Sequence, residues 1–161
     1  MGGSINTKIG IGAAGAVVAA AVVFVYSVWI DSGLAFIDPS DQGLVMQGEQ
    51  IYANHCASCH GAQMQGQPNW RERMSNGRLP APPHDKTGHT WHHPDAVLID
   101  LVKNGLVPGR TAPSGYESDM PAYGNILSDD EIIAVLAYIK SSWPPKVLDA
   151  QKEVTRQQIG Q

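Results

Sequence analysis

Cysteine is scarce in this chain. Of 161 residues only Cys56 and Cys59 carry thiols, and both fall inside one five-residue motif. No disulfide framework is left once those sulfurs are used, and no second pair exists to complete a four-ligand structural zinc site. Basic tracts are missing too. Eleven Lys and Arg stand against fifteen Asp and Glu, a formal charge of −4, which argues against nucleic acid as a partner. The βαβ pattern that a thioredoxin-like dithiol needs does not surround the cysteines. There is no internal repeat, and the only biased stretch is rich in Ala and Val near the N-terminus.

That stretch runs from Ile9 to Ile30 without one charged side chain. As a helix it would be about 33 Å long, against a hydrocarbon core of about 30 Å, so it can span a bilayer. Tyr26 and Trp29 lie near its end, where amphipathic rings settle at the headgroup level. Lys8 and the amino terminus flank one side; Asp31, Asp38 and Asp41 flank the other. The positive-inside tendency puts the N-terminus in the cytoplasm and everything after Asp31 outside it. A cleaved signal peptide competes, with Gly33-Leu34-Ala35 as a passable cleavage site. Its apolar region would normally run to about 7–15 residues, shorter than this one, so a retained anchor is the expectation.

The chain then divides into an anchor (1–30), a tether (31–40), a domain (41–145) and a tail (146–161). Within the domain, Leu44, Val45, Gly48, Ile51, Tyr52 and His55 recur at spacings of three and four, predicting a helix over 41–55. Residues 61–93 are Gly-, Pro-, Gln- and Asn-rich and predict loop. Pro94 opens a second helix with Val97, Leu98, Leu101 and Val102 on one face, and Gly105 suits its C-terminal cap. Loop returns over 106–127. Ser128-Asp129-Asp130-Glu131 is a capping box ahead of Ile132, Ile133, Leu136, Ile139 and Trp143, and Pro144-Pro145 stops that third helix. The tail fits a short surface helix or a disordered end. Three helices with loops of about 20 residues or more need something else in the middle.

Cys56-Ala57-Ser58-Cys59-His60 supplies it. C-x-x-C-H reads as c-type haem attachment: the thiols add across two vinyl groups and the histidine reaches the iron. One covalent haem c is therefore expected, with the macrocycle as the apolar core for the loops. His60 needs a partner for its other ring nitrogen, and a proline carbonyl within Leu79-Pro80-Ala81-Pro82-Pro83 is a candidate acceptor. The sixth iron ligand is open between loop methionines Met64, Met74 and Met120; Met46, on the first helix, is expected to pack. Proline beside Met120 would steady a weak thioether donor. The dense histidines His84, His89, His92 and His93 admit three readings. They hydrogen-bond haem propionates or backbone together with Trp91, one of them replaces Met120 on the iron, or they bind a second metal such as copper.

Gly48-Glu49-Gln50-Ile51-Tyr52, the C-x-x-C-H motif, Met120-Pro121-Ala122-Tyr123 and Leu136-Ala137-Tyr138-Ile139, in that order, make the chain resemble the class I (mitochondrial-like) c-type cytochromes over roughly residues 42–144. The resemblance implies an all-α cytochrome c fold of three main helices and long loops around one haem. It implies that the first and last helices cross, with Gly48 and Tyr52 meeting Leu136 and Tyr138, and that His60 and Met120 are the axial pair. With the anchor, the chain is similar to membrane-tethered bacterial members. The expected role is an electron carrier, not an enzyme, with its haem domain on the periplasmic side of a bacterial inner membrane. Its expected donor is a cytochrome bc-type complex and its acceptor a haem-copper oxidase or other complex. A fixed haem subunit of a larger membrane complex is the alternative, helped by small residues Gly10, Gly12 and Gly15 in the anchor. A haem enzyme or gas sensor would need an open iron position.

Overall fold

Helix α1 (Gln42–His55) starts where Asp41 turns its carboxylate onto the Gly43 and Leu44 amides, at 2.9 and 3.2 Å. This satisfies two of the donors that a helix start leaves bare. The structure, a computed structural model, describes residues 36–159. Both the anchor over 9–30 and the cleavage site at 33–35 lie outside the described residues. Among those described, no helix is long and apolar enough to cross a membrane.

α1 is followed by the single turn α2 (Ala57–His60), a 3-10 turn at Thr90–His92, then α3 (Asp95–Asn104), α4 (Asp129–Ser141) and α5 (Pro145–Ile159). The described residues form no strand, only one isolated bridge between Pro108 and Ala112. The fold is thus all-α, with loops filling 61–89 and 105–128. Pro94 sits one place earlier than expected, as the N-cap of α3, and Gly105 (φ +74°) closes it by donating its amide to the Leu101 carbonyl at 2.9 Å. At α4 the capping box is complete. Ser128 Oγ accepts from the Glu131 amide, and the Glu131 carboxylate accepts from the Ser128 amide at 2.8 Å.

α1 and α4 pack against each other across Gly48. A Cβ added there would stand 2.0 Å from the Ala134 carbonyl oxygen and 2.8 Å from Tyr138 Cβ. Tyr138 was the expected partner; the other nearest atoms belong to Ala134 and not to Leu136. Tyr52 reaches Tyr138 with ring centroids 5.5 Å apart. Ile132, Val135, Leu136 and Ile139 are buried along α4, and so are Ala134 and Ala137 on its other sides. A helix apolar around most of its circumference belongs in a core, and α4 has α1 and α3 against it.

The tail is where expectation and structure part most. From Pro145, at the first helical position, α5 runs for 15 residues and packs on the 3-10 turn, so the domain extends past the boundary at 145 and has a fourth long helix. Its anchor is polar. Lys140 and Asp95, both buried, pair at 2.8 and 2.9 Å, and Gln151 Nε2 donates to the same Asp95 carboxylate at 2.7 Å. Thr155 Oγ1 accepts from the Asp95 amide at 3.1 Å. The Ile37 amide donates to Asp95 Oδ2 at 2.6 Å, and the Lys140 ammonium lies 3.5 Å from the Phe36 ring centroid. Burial pulls the Lys140 pKa down to about 8 while the Asp95 charge opposes the shift. Residues 36 and 37, assigned to a tether from sequence, are therefore part of the domain.

Candidate haem-binding site

The motif begins at the end of α1. Cys56 caps that helix by donating its amide to the Tyr52 carbonyl, and its own carbonyl accepts from Cys59 and His60 at 3.1 and 2.9 Å to wind α2. Three chemically distinct side chains are thereby carried on one turn. Cys56 is half-buried and Cys59 exposed, and both are free thiols. Burial, then the neighbouring Cys59, pushes the Cys56 thiol up to about 11. Near neutral pH it is held as the thiol.

His60 is buried, and its Nδ1 lies 2.8 Å from the Pro82 carbonyl. A carbonyl only accepts, so Nδ1 carries the proton and Nε2 is left with its lone pair for a metal. The acceptor is one of the three prolines that the sequence singled out. Burial lowers the His60 pKa, with Pro82 pulling the other way, so the ring is in the neutral form that ligates.

Two tyrosines brace the motif at either end. Tyr52 Oη donates to the Gly61 carbonyl at 3.0 Å, just beyond His60, and Tyr123 Oη donates to the His55 carbonyl at 2.7 Å, just before Cys56. Tyr123 belongs to the Met120-Pro121-Ala122-Tyr123 loop, which the Tyr123 and Gly124 amides fasten to the Val102 and Lys103 carbonyls at 3.0 and 2.8 Å. Met120 is half-buried. The other methionines are placed differently. Met64 is core, held at φ +60° with its carbonyl accepting from the His84 amide; Met74 is exposed. Met46 does not pack as expected but stands 65% exposed, since it falls on the solvent side of α1.

The four histidines do not form one group. His84 stacks on His60, ring centroids 3.9 Å apart and 28° between planes, with Nδ1 3.0 Å from Thr90 Oγ1. Its carbonyl accepts from Trp143 Nε1 at 2.7 Å, and burial holds its pKa well below the ordinary value. The sequence signal for this contact is slender: His84 stands two residues past Pro82. His89 stacks on Trp70 and His92 on Trp91, while His93 meets His89 edge-on. Among the described residues no three His, Cys, Asp or Glu side chains are placed to hold a metal ion, so the second-metal reading finds no ligand set there.

Haem fits these residues on two grounds. The donor set is right: two free thiols and a neutral imidazole, proton-anchored on Nδ1, within one turn. Trp91 Nε1, moreover, is buried without a partner among the described residues, which suits a bound group bearing acceptors. The helical shell and this turn define a c-type haem protein whose work is one-electron transfer. A family model for cytochrome c matches residues 45–143, and the chain belongs to that family. Members bind haem c covalently, and one such C-x-x-C-H site is present here. No solved structure matches the chain.

Proposed function

We propose that the protein is a membrane-anchored, single-haem electron carrier of the class I type. In this reading Cys56 and Cys59 hold the haem by thioether bonds, and His60 and Met120 are its axial ligands. The observation that carries it is the 2.7 Å bond from Tyr123 to the His55 carbonyl. Met120 lies three positions from Tyr123, about 10 Å of backbone at most, so the loop bearing Met120 is held near the motif. His84 suits the position poorly. A second iron ligand would have to come from the side away from His60, whereas the His84 ring lies flat against it. His89 and His92 are engaged with Trp70 and Trp91.

A bound haem would supply one-electron chemistry at its iron, with His60 and Met120 as the residues that would hold that iron and the thioether tending to raise its potential. The chain's own residues do the rest. Pro82 fixes the tautomer and ring direction of His60, and Trp91 Nε1 would be free to donate to an acceptor group of the bound haem. The uncharged run Ile9–Ile30 supports a retained anchor, with the haem domain on the periplasmic side of a bacterial inner membrane. There it would take electrons from a cytochrome bc-type complex and deliver them to a haem-copper oxidase or another acceptor. Tethering replaces free diffusion by high local concentration.

The test is spectroscopic. The ferric protein should show the red charge-transfer band of sulfur ligation, and the ferrous protein should resist carbon monoxide. Met120→Ala should lose the band, admit carbon monoxide and fall in potential; Met64→Ala and Met74→Ala should keep the band. A wild-type spectrum unchanged by Met120→Ala would overturn the ligand assignment, and carbon monoxide binding by the wild type would overturn the carrier reading.

A further inference from the structure

Two loops meet at the rim of the site. One, residues 67–83, carries near its end Pro82, whose carbonyl holds His60. Within it a tight turn brings the Met74 amide to the Arg78 carbonyl at 2.8 Å, and Arg73 closes the turn by donating Nη1 to the Gly77 carbonyl at 2.6 Å. The other loop, residues 116–123, carries Met120. Arg78 crosses between them. Its Nη1 donates to Asp119 Oδ1 and its Nε lies 3.5 Å from Glu117 Oε2. Arg73 also crosses, with its guanidinium 5.8 Å from the centre of the Tyr116 ring.

These are the cross-loop contacts on the side of Met120 that Tyr123 leaves free. From Met120 onward the chain is fastened at 123 and 124; before it, the Met120 amide finds only Ser118 Oγ, at 3.0 Å within the same loop. Among the described residues, removing Arg78 would leave only the looser 5.8 Å approach of the Arg73 guanidinium to the Tyr116 ring as a charged tie from residues 116–119 to the loop that holds His60. An arginine suits the task better than a lysine, because its planar fork presents Nε and Nη1 to two carboxylates at once.

We infer that Arg78 is a positioning residue for Met120: its bridge to Asp119 and Glu117 latches the Met120 loop to the loop that holds His60. This rests on the ligand assignment above. The bridge is solvent-exposed, with Arg78 37% and Asp119 55% accessible, so it acts as a modest, salt-sensitive bias on when the thioether lets go and adds little to global stability.

The experiment uses the full-length ferric holoprotein and imidazole, at a pH where imidazole is neutral and feels no long-range field. Imidazole must displace the thioether to bind, so its apparent affinity reports release of the Met120 loop. Arg78→Gln should raise that affinity roughly two- to fivefold, the span of an exposed ion pair. Raising ionic strength from about 0.01 to 1 M, where the Debye length shrinks to about 3 Å, should raise the wild-type affinity and leave Arg78→Gln flat. Asp119→Asn should mimic Arg78→Gln, and the double variant should add less than the sum of the two. Arg78→Lys should restore part of the effect, and the denaturation midpoint should stay put in all of them.

Equal imidazole affinity and equal salt response in wild type and Arg78→Gln, with the sulfur band present and lost in Met120→Ala, would overturn the latch and leave the ligand assignment standing. A wild type without the sulfur band would overturn the ligand assignment, and the latch with it, since no thioether would be there to hold. A midpoint that falls in step with the affinity change would also overturn it, because Arg78 would then be acting on the whole fold.

Discussion

Gly48→Ala is the substitution on which the geometry speaks most plainly. In an ordinary helix it would help, because alanine is favoured over glycine by about 1 kcal/mol in a helix interior. Here the new methyl would arrive 2.0 Å from the Ala134 carbonyl oxygen, 2.6 Å from its carbon and 2.8 Å from Tyr138 Cβ. Two of these atoms are backbone and the third is the first atom of a side chain, so no rotamer change relieves the clash. α1 and α4 must separate by about 1 Å, and Tyr52 and Tyr138 would lose their contact along the same seam. Overpacking of this kind costs about 1–3 kcal/mol and occasionally more. Because the clash is with backbone, the upper end of that range, about 3 kcal/mol, applies, and less the propensity gain of about 1 kcal/mol it leaves a net loss of about 2 kcal/mol, a sizeable part of the 5–15 kcal/mol that holds a typical domain. Guanidinium titration of the holoprotein, followed both by far-UV circular dichroism and by the haem absorbance, measures it. The midpoint should fall with the slope unchanged, and the two probes should move together because α1 carries Cys56 at its end. Tyr138→Ala should not rescue the variant, since its Cβ remains. A variant as stable as the wild type, or more stable by the propensity gain, would mean that the helices do not cross closely at Gly48.

Lys140→Met should cost about 3–5 kcal/mol by thermal or chemical denaturation, because it strands the buried Asp95 carboxylate on the Ile37 amide and Gln151 alone. Lys140→Met with Asp95→Asn should cost less than Lys140→Met by itself, and strictly additive losses would show that the two do not act as a pair. Trp91→Phe should lower the reduction potential and raise the pH at which the potential responds to propionate ionisation, since a carboxylate stripped of its donor favours the ferric state. If the indole N–H has no partner in the holoprotein, its removal would instead be neutral or stabilising with the potential unmoved.

Those features of the site carried by neighbours in sequence were legible in advance. The turn Ala57–His60 needs only its own residues to present the thiols and imidazole, and the capping box at Ser128 and Glu131 announces α4 within four positions. Even the Pro82 acceptor was within reach, because a ligating imidazole needs a partner and prolines cluster at one place downstream. The buried polar group was not legible. Asp95, Lys140, Gln151 and Thr155 each read alone as a surface residue, and their burial is tolerable because most of their polar atoms pair with one another across 45 to 60 positions, with Gln151 Oε1 left without a partner among the described residues. For the same reason α5 looked like a tail: two of the residues it buries are polar, Gln151 and Thr155, so the apolar period that betrays a packed helix is muted.

That polar group also changes what a tether can be. Ile37 is 6% exposed and gives its amide to Asp95, while the Phe36 ring lies over Lys140 and within 5.2 Å of the Lys152 ammonium. Phe36 and Ile37 are thus fixed by α3, α4 and α5 together, through the same carboxylate that holds those helices in place. The tether expected over 31–40 therefore gives up Phe36 and Ile37 to the domain, and the buried ion pair bears on where the domain begins as well as on its stability.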